Sequence, residues 1–68
     1  MTSTPRDRIA SLLRQANALT VYEVADIIGV SVQAAQEALR DMDEAGEAHM
    51  RNGFYRASEA LKMKEASQ

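Results

Sequence analysis

The sequence has no cysteine, no tryptophan, one proline and one histidine, and it carries no long apolar run. Each absence excludes something. Without cysteine there is neither a disulfide framework nor a thiolate metal site. Thiol-free composition is compatible with a reducing cytosol. The lone His49 cannot assemble a metal site without several carboxylates beside it, so neither metal nor cofactor is expected. Asp41, Asp43 and Glu44 neighbour one another without the glycine-bearing loop of a calcium site. No stretch approaches the ~18 apolar residues of a membrane span, and no signal-peptide core follows the start. The best stretch, residues 24–32, is broken by Asp26, Gly29 and Ser31. A soluble, cytoplasmic chain without a membrane partner is expected. No glycine loop could cradle a phosphate, and 68 residues are too few to enclose a pocket. An enzyme is therefore not expected, and no catalytic residue is assigned.

What is present reads as one small domain, whose unfolded surface would be only ~60% buried on folding. Residues 1–4 read as a flexible N-terminus, 5–57 as the domain, and 58–68 as a short helical or disordered tail. Thr4 is placed to cap a first helix over residues 5–16, with Pro5 at its first position and Asp7 near the positive end of the helix dipole. Ile9, Leu12, Leu13 and Ala16 form its apolar stripe, and Asn17-Ala18 its exit. Thr20 and Glu23 have capping-box spacing, flanked by Leu19 and Val24 at staple positions. The second helix then presents Val24, Ile27 and Ile28, and Gly29 ends it in a left-handed conformation. Ser31 starts a third helix over residues 31–45 with Ala35, Leu39 and Met42 inward, joined by Ala38 and Ala45, and Gly46 ends it.

Beyond Gly46 the helical period gives way to alternation around Asn52-Gly53, a strong two-residue hairpin signal because both central residues need positive φ. In that register Arg51 faces Phe54, Met50 faces Tyr55 and His49 faces Arg56. Met50 and Tyr55 then point inward, while His49, Arg51, Phe54 and Arg56 point outward. A longer, bulged loop would exchange the roles of Phe54 and Tyr55. In the tail, residues 58–62 could form a turn or two of helix.

Two short helices joined by Gly29-Val30-Ser31 fit a helix-turn-helix, and a third helix and a hairpin complete the order. The stretch Ile28-Gly29-Val30-Ser31, with Met42-Asp43-Glu44-Ala45-Gly46 leading into the hairpin, resembles the small winged helix-turn-helix regulators of bacteria and phages over roughly residues 5–57. The resemblance implies a mainly α fold with a small β-hairpin (α+β), a three-helix winged helix-turn-helix. Two positions depart from the family pattern. Residue 47 is Glu where an apolar residue usually opens the wing, and Glu37 stands on a face that commonly carries Arg or Lys.

The resemblance further implies that helix 31–45 lies in the major groove of double-stranded DNA, with the 47–57 hairpin as wing. The DNA-binding candidates are Ser31, Val32, Gln33, Ala34, Gln36, Glu37 and Arg40 on the helix and Arg51, Asn52 and Arg56 on the wing. Gln33 and Gln36 carry amides suited to adenine edges, Arg40 can reach guanine or phosphate, and Val32 and Ala34 can touch thymine methyls. Ser31 sits where a helix N-terminus meets phosphate. Each has an ordinary alternative as a solvated helix residue, or, for Arg51 and Arg56, as a charge that discourages edge pairing. The net charge is −2. Its positive excess lies in the first helix and the hairpin, and its negative excess in the second and third helices. So few cations limit phosphate contacts, which implies a homodimer or a protein partner. The alternative is a winged helix that contacts protein and not DNA, favoured by Glu37, Val32, Ala34 and the acidic balance.

Overall fold

The computed structural model describes residues 4–16 and 18–66, with side chains described as far as Met63. In order these form α1 (Pro5–Gln15), α2 (Val21–Ile28), α3 (Val32–Glu44), β1 (Ala48–Arg51), β2 (Phe54–Ala57) and α4 (Glu59–Ala66). The fraying expected at residues 1–3, the disorder expected at 67–68 and the helix exit at Asn17 lie outside the described residues.

Local chemistry sets the helix starts. The Thr4 hydroxyl accepts the Asp7 N–H at 3.1 Å, with Pro5 in the first turn of α1. At α2 the Thr20 hydroxyl accepts the Glu23 N–H at 3.2 Å, and the Glu23 carboxylate accepts the Thr20 N–H at 2.9 Å. The Ser31 hydroxyl accepts the Ala34 N–H at 3.1 Å and so opens α3. Each such cap contributes about 1 kcal/mol. Between α2 and α3 the chain turns at Gly29, whose φ is 75°. There the Gly29 and Val30 N–H groups both donate to the Ala25 carbonyl, at 2.9 and 3.0 Å. A Cβ is disfavoured in that left-handed conformation, which is why glycine ends the helix.

The core is made where α1 and α2 both pack on α3. Ile9, Leu13, Val24, Leu39, Met42 and Leu61 are fully buried, and Ala10, Ala25, Ala35 and Ala48 are buried in the same cluster. Burying side chains of this size contributes roughly 1.5–3 kcal/mol each.

Three expected core positions are corrected. Ile27 is 57% exposed. The buried face of α2 is Val24, Ala25 and Ile28, so the helix is rolled further towards Ala25 than the spacing of its large residues suggests. Ala45 is exposed because it caps the last turn of α3, beyond the packed face. Met50, expected to point into the core with Tyr55, is 55% exposed. It lies near the hairpin turn on β1, and among the described residues β1 has a strand neighbour on one side only.

The hairpin has the expected two-residue turn. Asn52 and Gly53 have φ of 54° and 83°, and the pairs are Ala48–Ala57, His49–Arg56, Met50–Tyr55 and Arg51–Phe54. Tyr55 is half-buried against the core. Because hydrogen-bonded and non-hydrogen-bonded pairs alternate in an antiparallel ladder, the Tyr55 backbone is free to bond outward from β2. It does so with Leu19. The Leu19 N–H donates to the Tyr55 carbonyl at 3.0 Å and the Tyr55 N–H to the Leu19 carbonyl at 2.6 Å. The residue read as a staple thus also supplies a one-residue third strand, which ties the start of α2 to the hairpin.

The base of the hairpin is polar and buried. Glu47 is 7% exposed and its carboxylate accepts a hydrogen bond from the Arg6 guanidinium at 2.8 Å. The Glu47 N–H donates to the Met42 carbonyl at 2.7 Å, and the Ser58 N–H to the Glu47 carbonyl at 3.0 Å. The Ser58 hydroxyl donates to the Gly46 carbonyl at 2.6 Å and accepts the Leu61 N–H at 3.3 Å. Ser58 therefore closes the hairpin and caps α4 at once.

Candidate nucleic-acid interface

Burial of Ala35, Leu39 and Met42 fixes the roll of α3 and decides which residues it presents. Val32, Gln33, Gln36, Glu37 and Arg40 are exposed and together line one shallow, open depression along the helix. Their spacing is that of one helical face. Ala34 is half-buried at its margin, and the exposed Ser31 spends its hydroxyl on the helix cap. The Gln33 amide donates to the Glu37 carboxylate at 3.5 Å. That distance is long enough for a weak contact that another acceptor can replace. The face thus offers two amides, a guanidinium and an apolar contact, with Glu37 cancelling the charge of Arg40.

The hairpin brings its own three candidates together. Arg51, Asn52 and Arg56 are exposed and line a second shallow depression with Phe54 and Ala18. Strand alternation places His49, Arg51, Phe54 and Arg56 on the side away from the core, and all four are exposed. Unlike the α3 face, these four residues include no acid. The two candidate sets therefore form distinct surfaces, one neutral on α3 and one basic on the hairpin.

Sequence reasoning did not find what holds these surfaces in relation to one another. Arg6 is separated from Glu47 by 41 positions, and nothing local pairs them. Its guanidinium is driven further above its ordinary value, chiefly by the hydrogen bond to Glu47 and then by the charge of that carboxylate. The one available signal was a carboxylate where the resemblance leads one to expect an apolar residue. Such a group must find a partner when buried. Lys62 also escaped notice. It lies beside the buried Leu61 and joins His49, Arg51 and Arg56 around a third depression.

Among the described residues no group of three or more His, Cys, Asp or Glu is placed to hold a metal ion, and no helix is long and apolar enough to cross a membrane.

No protein-family model and no curated protein matches the sequence. Solved structures do match the fold. A MarR family protein of Mycobacterium tuberculosis, Rv2887, superposes with a TM-score of 0.81 at 22% identity, covering 97% of this chain and 53% of that one. The same protein in a complex with DNA gives a TM-score of 0.80 at 23% identity, covering 97% and 54%. The chain spans about half the length of these neighbours. With four helices and a two-stranded antiparallel hairpin among its described residues, superposable almost end to end on such a protein, the chain is a winged helix-turn-helix.

Proposed function

We propose that the chain is a small DNA-binding transcriptional regulator that lays the N-terminal half of α3 in the major groove and sets the hairpin beside it as a wing. The observation that carries this reading is the pairing of surfaces. α3 exposes Gln33, Gln36 and Arg40 on one face, and the hairpin exposes Arg51 and Arg56. The first set can read base edges and the second can hold phosphates. A neighbour of the same fold is seen with DNA, which supports the reading.

Ser31, Val32, Ala34 and Asn52 complete the proposed contact set, and Glu37 lies within it as a negative element. A carboxylate on a reading face accepts from cytosine amino groups and disfavours other edges, so it restricts sequence and weakens general affinity. With so few cations per chain, specific binding requires a homodimer or a second protein to double the phosphate contacts. In this reading the protein acts in the cytoplasm and catalyses no reaction.

The test is titration of a labelled pool of genomic duplexes at low and at moderate salt. Retention at low salt, narrowing to a subset of fragments at moderate salt, is the expected result. If no fragment is retained at low salt, the proposal fails and a protein ligand for the α3 face takes its place.

A further inference from the structure

We infer that the outer face of the hairpin continues onto α4 as one cationic surface, with Lys62 as its third fixed positive charge, and that this surface holds the sugar-phosphate backbone of a duplex beyond the stretch under α3. The inference rests on the DNA-binding reading above and adds α4 to the interface.

Its basis is placement. Leu61 is 2% exposed, and Ser58 caps the helix through the Leu61 N–H at 3.3 Å. These two contacts set the roll of α4 and leave its next residue, Lys62, exposed. His49, Arg51, Arg56 and Lys62 line one shallow depression, and Glu59 is the single acid among its lining residues. That acid stands in the first turn of α4, where the helix dipole offsets part of its charge. On the α3 face, by contrast, one acid meets one guanidinium.

The chemistry of this depression suits a repeating anion. It is open, its charges stand on long side chains, and Ala57 is its only apolar residue. A protein interface of any strength has an apolar, well-packed centre; the depression shared with α4 has none, and Phe54 lies on the neighbouring depression towards Ala18. Phosphate contacts need no such centre and carry no sequence information.

The experiment uses the full chain with Lys62→Gln and Lys62→Glu. Binding is measured to a fragment retained from the genomic pool and to a random duplex, between about 50 and 200 mM salt. Loss of one phosphate contact makes the slope of log affinity against log salt shallower by about 0.9 in Lys62→Gln. The advantage of the wild type then shrinks by roughly 3.5-fold across that salt range. The change should be equal on both duplexes, larger for Lys62→Glu, and accompanied by an unaltered melting temperature. A wild-type slope in both variants overturns the inference. So does a Lys62→Glu variant that changes self-association in sedimentation but not the slope, which would give this face to the acidic end of α3 on a second copy. Failure of the wild type itself to retain any duplex overturns the DNA reading and this inference with it. That outcome is told apart because it appears before any variant is compared.

Discussion

The exposed face of α3 and the outer face of the hairpin differ in what holds them and in what they offer. α3 is set from beneath by three fully buried side chains, Ala35, Leu39 and Met42, and presents amides with balanced charge. The hairpin is set from its base by hydrogen bonds and one ion pair, and presents arginines with no acid beside them on its strands. Discrimination needs side chains held in register by a rigid core, whereas attraction to phosphate needs only charge and reach. In the proposed reading, the division of labour follows from packing.

The largest effect is expected beneath α3. Leu39→Ala opens a cavity under α3 and should cost about 2–5 kcal/mol, a large part of the stability of so small a domain. Thermal melting should show a pronounced fall or no cooperative transition. Next comes the charge of the wing. Arg51→Glu combined with Arg56→Glu should abolish retention of duplex DNA at moderate salt and leave melting nearly unchanged, as read by a retention assay beside a thermal scan. If retention persists, attraction does not reside in the hairpin.

A smaller effect sharpens the contrast. Gln33→Ala and Gln36→Ala should each reduce discrimination between the preferred site and a random duplex by about 1–3 kcal/mol, with the salt slope unchanged. Equal loss on both duplexes would show that these amides do not read bases. The smallest effect is expected at Ile27. It is 57% exposed, so Ile27→Ala should shift stability by about 0.5 kcal/mol or less, roughly a quarter or less of the loss at Leu39 when both melts are compared.

What was legible in the sequence was what is chemically local. Thr4, Thr20 with Glu23, and Ser31 cap helices within three residues of themselves. Gly29 and Asn52-Gly53 declare backbone conformations that few other residues adopt. These features place α1, α2, α3 and the hairpin, and with them the exposed residues of α3. The roll of α2 was not legible, because six of its eight residues are apolar or aromatic and several rolls satisfy the pattern. The exposure of Met50 depended on where the sheet ends, and the contact of Arg6 with Glu47 depended on the completed fold. The fourth helix showed only as a short helical possibility, since among its described side chains Leu61 alone is deeply buried. Lys62 was hidden for the same reason.

The hydrogen bond from the Ser58 N–H to the Glu47 carbonyl closes residues 48–57 at their base, and the pairing of Leu19 with Tyr55 holds them a second time halfway along. Nothing downstream of Ser58 needs to know how far the excursion travels. Beyond Tyr55 the ribbon can be lengthened by whole residue pairs at its tip without disturbing Leu39 or Leu61. Variation in reach is thereby separated from variation in stability, and a longer or more basic ribbon can be grafted onto the same body.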